Sequence, residues 1–448
     1  MKFGFDKYVD LEEYPNPYPL PNGKVGAEDL PRTYNELSKY NVYGFLFKKH
    51  LEYQEHGFGH DTVDNLVKSS EKFMYAILLR DKKAFGRLSD ENYYKLSDTI
   101  INAVRNKQAK ILLSHLFEGD FKKTDLNEIE ALNKFAIKYN FQKDDILVLS
   151  NNLKWNYEEP ENAIFTVKTC NYFLLNPWFI KEDLLDESND QALRIAFEDR
   201  RKYVTTYPKP KRFLSLNRRP RTHRIVLFAE IAKDPQLRDA TVLSMGSRNL
   251  DANQAADKNH WARQYDNPWM TLYDAFIADD YKYNKKSGLD FIESYDNNED
   301  YFVDSNLNYN LAFNLNETLH LNTFVNVFTE TLFEEDTIFL SEKIFKPLFC
   351  CQPFIVFGNP GTLEELQKIG FKTFGDFWDE SYDKEIDFTK RLEKIIGIMK
   401  DLVKKTPTEL LKITQQMDSI LEHNYRHMIQ SSRAEVFILK QILNEQFN

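Results

Sequence analysis

FVNVFTETLFEEDTIFLSEKIFKPLFCCQPFIVFG, residues 324–358, is the stretch on which the reading of this chain turns. Phe324, Val325, Val327 and Phe328 predict a buried strand, and an acidic turn follows it. Ser341 is then placed to cap a helix whose first turn carries Glu342 and Lys343. A second apolar strand, residues 354–357, stops at Gly358. Backbone N–H groups at a helix start, together with the positive end of its dipole, suit a phosphate. Lys343 adds a full positive charge there, and Glu342 offers an acceptor for ribose hydroxyls. The local pattern is that of a nucleoside-diphosphate pocket at the end of a strand.

In residue order the stretch also resembles the donor-site motif of α1,3-fucosyltransferases. In that family a Phe-x-x-Glu-Asn-Ser segment precedes a Thr-Glu-Lys helix start, with Arg-Asn three residues after the Lys. Phe328, Glu330 and Thr331 stand here in the first part, and Ser341, Glu342 and Lys343 in the second. Lys346 occupies the place of the Arg, Pro347 replaces the Asn, and the strand ending at Gly358 is one residue longer than the family's. The resemblance covers roughly the last third of the chain. It implies a GT-B glycosyltransferase with a nucleoside-diphosphate sugar as co-substrate, a GDP-sugar being favoured, and a glycan or other hydroxyl acceptor. It implies no tightly bound cofactor.

A second motif lies upstream, RFLSLNRRPRTHR at residues 212–224. Its apolar half reads as a strand ending near Leu216, so Asn217, Arg218 and Arg219 fall at the carboxyl edge, where α/β sheets hold ligands. Arg221, His223 and Arg224 follow as a helix begins. Five arginines in thirteen residues repel one another unless an anion or acidic partner is present, and guanidinium forks match pyrophosphate oxygens. Fucosyltransferases use an arginine from an early part of this domain on the diphosphate, which makes Arg218 or Arg219 the candidate. The alternative is a basic patch that pairs with the acidic loops near residues 296–304 or docks the two domains.

Alternation of apolar runs with helical patterns predicts an α/β fold of two Rossmann-like domains facing across a cleft, GT-B-like, finished by C-terminal helices. The expected division is an N-terminal arm over 1–35, an acceptor-side domain over 36–208, a donor domain over 209–385, and helices over 386–448. In the first domain, strands are expected at 73–79, 110–113, 146–149 and 171–175, with helices at 91–105 and 127–139. A charged helical stretch at 180–208 leads to strands at 212–216 and 241–244 around a helix at 222–232. Residues 246–310 are read as helices and a loop over the site, 362–369 as a helix, and 386–446 as two or three long ones.

The attacking hydroxyl of an acceptor needs a base. Glu118 follows the second strand of the first βαβ unit beside Gly119, with Asp120 next to it; a carboxylate partly desolvated there has the raised affinity for protons that a base requires. His60, in EHGFGHD, is the further candidate. His56 and His60 have helical metal-ligand spacing, but the intervening glycines argue against a helix, and the acidic pair Asp279–Asp280 is unremarkable among 69 acidic residues. No metal is expected.

Composition narrows the remaining classes. At 448 residues the chain exceeds one ordinary core, and 42% hydrophobic residues with 35 Phe and 24 Tyr exclude a disordered polymer. Three cysteines, two of them adjacent, do not make a disulfide framework, which points to a cytoplasmic location. No apolar run reaches the roughly 20 residues of a membrane span, and residues 1–20 lack a signal-peptide core. The net charge of −10 argues against general nucleic-acid binding. Two alternatives stay open: a glycosyltransferase of another donor class, and a non-catalytic protein that keeps the fold as a binding or scaffold surface. A dinucleotide-dependent epimerase ranks below both, since no Gly-x-Gly-x-x-Gly opens either half.

Overall fold

A computed structural model describes residues 2–5, 59–79, 82–89, 95–115, 121–122, 124–157, 160–175, 190–217, 222–245, 315, 317–333 and 337–447. The chain is α/β and divides into two compact units. The first takes Met1–Asn176, Glu334–Phe339 and Gln430–Asn448; the second takes Pro177–Phe333 and Leu340–Ile429.

The first unit holds a six-stranded sheet of β1 (Lys2–Phe5), β2 (Gly59–Thr62), β3 (Phe73–Leu78), β4 (Ala109–His115), β5 (Ile146–Ser150) and β6 (Thr166–Thr169). The order is β2-β1-β3-β4-β5-β6, with every pairing parallel. A parallel sheet is covered on both faces, which is why FMYAIL and ILVLS read as continuous apolar runs rather than alternating ones. Phe73, Ile77, Ile111, Leu113, Ile146 and Val148 join one core with Phe135 and Leu132 of the helix Leu126–Tyr139.

Three expectations for this unit change. The start of the presumed arm, Lys2–Phe5, is an interior strand between β2 and β3. Gly4 makes that possible, because a Cβ there would lie 2.7 Å from the Phe73 ring. The helix expected from residue 91 begins at Asp98, where Ser97 caps it by accepting from the Ile100 N–H at 3.3 Å; residues 91–94 lie outside the described set. The strand expected at 171–175 is instead a short helix, Tyr172–Leu175, and the strand is β6, just before it. Asn171 starts that helix by accepting from the Leu174 N–H at 3.0 Å. Four apolar residues in a row carry no period by which helix and strand differ.

The second unit holds β7 (Lys211–Asn217), β8 (Thr241–Met245), β9 (Thr323–Thr329) and β10 (Phe354–Phe357), in the order β10-β9-β7-β8 and again all parallel. The chain passes from β7 to β8 on one side, then returns to place β9 on the other side of β7. The strand order therefore reverses between β7 and β9. The strands expected at 212–216, 241–244 and 354–357 appear within a residue of their limits. The reading of 246–310 lies outside the described residues.

The C-terminal stretch is two helices, Phe388–Val403 and Pro407–Glu445. The helix Asp190–Thr206 belongs with the second unit although a boundary near residue 208 was expected. Arg201 makes two hydrogen bonds to the Asp418 carboxylate at 2.7 and 2.6 Å, and Phe197 stacks on Tyr425 with ring centroids 4.3 Å apart. Arg200 likewise grips both oxygens of Glu317. These contacts, 117 and 217 residues apart in sequence, have no local signature. Among the described residues no helix is long and apolar enough to cross a membrane.

Candidate functional site

Open parallel sheets take ligands outside the carboxyl ends of their strands, at the point where strand order reverses. In the second sheet that point lies between the ends of β7 and β9, at Asn217 and Thr329. The two motifs singled out in the sequence therefore meet there.

They meet residue by residue. The Thr329 hydroxyl donates to Asn217 Oδ1 at 3.4 Å, and Arg224 Nε donates to Thr329 Oγ1 at 3.2 Å. His223 Nε2 lies 2.9 Å from the Glu330 carbonyl oxygen, so the imidazole donates there, and its ring stacks on Phe333 with centroids 4.9 Å apart. Consecutive residues at the start of the helix Thr222–Lys233 thus hold consecutive residues at the end of β9.

Glu330 reaches forward from β9 to the next helix. Its carboxylate accepts from Ser341 N at 3.1 Å and from Ser341 Oγ at 2.6 Å. Ser341 caps the helix Glu342–Phe349, as expected, by accepting from Lys343 N at 3.3 Å. Lys343 Nζ donates to Thr331 Oγ1 at 2.9 Å, Glu342 Oε1 at 3.0 Å and Ser341 Oγ at 3.2 Å. An ammonium has three N–H groups, so these partners use all of them.

This corrects one feature of the sequence reading. Free backbone donors were expected at the helix start. Ser341 Oγ takes the Lys343 N–H and the Ser341 carbonyl takes that of Ile344, so these are satisfied internally. The positive element at the helix start is Lys343, whose side chain retains 22% of its accessible surface.

Around this lysine the environment drives two carboxyl groups apart. Burial pushes Glu330 above the usual carboxylate range, and Lys343 and the Ser341 donors offset this only in part. Burial acts on Glu342 in the same direction, but Lys343, Lys346 and the hydrogen bond from Lys343 outweigh it and hold that carboxyl below the usual range. Two carboxyl groups beside one cation are thus shifted in opposite directions, a pattern common in functional sites.

Asn217, Glu330, Thr331, Ser341, Glu342 and Lys343 are therefore brought together, with Lys346 one helical turn beyond Lys343 and its charge acting on Glu342. Pro347 lies inside this helix and removes one backbone donor from it. Arg218, Arg219 and Arg221 lie outside the described residues, as do Glu118 and Asp120 in the first unit. His60 lies on β2, at the edge of the first sheet; its side chain is outside the description. Thr329 was not singled out, His223 was read only as the start of a helix, and Arg224 only as one of the five arginines. Strand adjacency would have identified them, and the sequence pattern does not carry it.

The adjacent cysteines are buried rather than reactive. Burial pushes the Cys350 thiol well up and the Cys351 thiol to about 12. Among the described residues no group of three or more His, Cys, Asp or Glu is placed to hold a metal ion. Comparison of the chain with protein-family models, with curated proteins and with solved structures gave no match in any of the three. The likeness to fucosyltransferases rests on the motif in residues 324–358 alone.

Proposed function

We propose that the second unit binds a nucleoside-diphosphate sugar, a GDP-linked sugar being favoured, and that the protein is an inverting glycosyltransferase acting on a hydroxyl acceptor. The observation that carries this reading is the convergence of the two motifs at the reversal point of the second sheet, Asn217 and Arg224 from one and Glu330, Ser341 and Lys343 from the other. The motif likeness supports the same donor class. A GT-B-like arrangement of the two units is part of the proposal.

In this reading Lys343 exchanges one of its three acceptors for a diphosphate oxygen and stabilises the negative charge that grows on the leaving group. Arg218 or Arg219, directly after β7, adds a bidentate contact. Glu342, kept ionised by Lys343 and Lys346, accepts from ribose hydroxyls. Glu330 holds Ser341, and through it the ammonium, in place.

One observation favours a second reading, a non-catalytic binding or scaffold protein: every donor of Lys343 already has an internal partner. A thermal-shift panel of GDP, UDP, CDP, ADP and TDP with wild type and Lys343→Ala separates the two. The transferase reading expects stabilisation by one nucleotide, lost in the variant. No response to any nucleotide would discard the donor site and leave the scaffold.

A further inference from the structure

Asn217 closes β7 and is 4% exposed, yet among the described residues its side-chain Nδ2 has no hydrogen-bond partner. A buried amide donor left unpaired costs about 1–3 kcal/mol, so at the reversal point of a sheet it calls for a partner from outside the chain, a ligand or a water. Its orientation is not arbitrary. Arg224 Nε can only donate, and it donates to Thr329 Oγ1 at 3.2 Å. The Thr329 hydrogen is directed to Asn217 Oδ1, 3.4 Å away. Reversing the amide would take this acceptor away from the Thr329 hydrogen, so the relay favours Oδ1 as the acceptor and leaves Nδ2 as a donor at the reversal point of the sheet.

We infer that Asn217 is a ligand-contacting residue whose Nδ2 takes an acceptor oxygen of the bound molecule, a phosphoryl oxygen in a nucleoside diphosphate, and that Thr329 is the residue that orients it. This deepens the donor-site reading and rests on it. The relay excludes a ligand that presents a donor at this position, because two donors would then face each other in a buried place. It also makes Thr329, which need not touch the ligand, a determinant of affinity.

The test measures GDP and inorganic pyrophosphate binding calorimetrically to wild type, Asn217→Asp, Thr329→Val and Thr329→Ser. Asn217→Asp keeps the acceptor facing Thr329 and replaces the donor by a carboxylate oxygen. It is expected to weaken GDP at least tenfold. Thr329→Val keeps the shape but removes the relay and is expected to weaken GDP severalfold; Thr329→Ser, which keeps the hydroxyl, restores it. The two threonine variants decide the question even if Asn217→Asp does not fold. Unchanged GDP affinity in Asn217→Asp with a lowered melting temperature means a structural water only and overturns this inference, leaving the donor site standing. Equal losses in Thr329→Val and Thr329→Ser overturn the orienting role. A wild type that binds neither GDP nor pyrophosphate overturns both the inference and the donor site.

Discussion

Ser341→Ala is the perturbation on which the geometry of the site is most exposed. The Ser341 hydroxyl donates to Glu330 Oε2 at 2.6 Å while accepting from Lys343 N at 3.3 Å and Lys343 Nζ at 3.2 Å. One hydrogen and two lone pairs are thus fully used by a side chain with no exposed surface. Loss of the cap costs about 1 kcal/mol. Loss of one hydrogen bond to a buried carboxylate costs about 1.5–3 kcal/mol more, which brings the total to about 3 kcal/mol. For a unit of this size that corresponds to a fall of about 6–12 °C in the melting transition. The partition is tested by a double-mutant cycle with Glu330→Gln in scanning calorimetry at pH 7.5. In that background the Ser341 hydroxyl faces a neutral amide oxygen in place of a carboxylate, so Ser341→Ala should cost about 1 kcal/mol less than in wild type, a coupling of about 1 kcal/mol. The pH dependence has a definite sign. Glu330 is raised in the folded state, mainly by burial, so its stabilising contribution is present at low pH and lost as pH rises through its folded value. The cost of Ser341→Ala should therefore grow as pH rises through that titration. Equal costs in both backgrounds, or a cost within about 0.5 kcal/mol of zero, would refute the reasoning.

His320, on the short helix Glu317–Leu321 just before β9, is buried and bonded to Gln352 Oε1 at 2.8 Å, and burial holds its imidazole down from 6.5 to about 4. The unfolded chain takes up this proton first, so stability is lost as pH falls from about 6.5 towards 4, by about 3 kcal/mol in full. Urea titrations across that range should show the loss, and His320→Gln should flatten it. Gly370 has φ +98°, and a Cβ there would lie 2.6 Å from His427 Nε2, which itself donates to the Ile369 carbonyl. Gly370→Ala is expected to cost about 1–3 kcal/mol from backbone strain, with the displaced imidazole adding to it. A melting temperature equal to that of wild type would remove that account.

Much of the second unit was legible because local signals agreed with one another. The strand and cap chemistry of residues 324–358 placed β9, the Ser341 cap and β10 almost to the residue, since an apolar run, a short polar N-cap and a terminating glycine each act on the backbone next to them. Two four-residue segments of the first unit were misread. KFGF was not seen as an interior strand, and YFLL was taken for a strand, because four residues are too few to separate a period of two from one of 3.6. The helix start at Ser341 was legible, but its free donors were not to be had, since whether a cap leaves N–H groups open depends on which neighbours fill them.

What the sequence determined by itself was the inventory: two parallel α/β halves, the strand ends that carry Asn217 and Glu330, a capped helix with Lys343 in its first turn, and an excess of cations beside them. Periodicity and capping are properties of neighbouring residues, and neighbours are what a sequence records. Only the tertiary structure decided that β9 lies against β7 rather than beyond β8. That choice brought Thr329 to Asn217 across 112 residues and Glu330 to the His223 imidazole across 107. Strand order is settled by how buried faces and crossing helices pack over the whole sheet, a global balance of burial against loop entropy that no short pattern encodes.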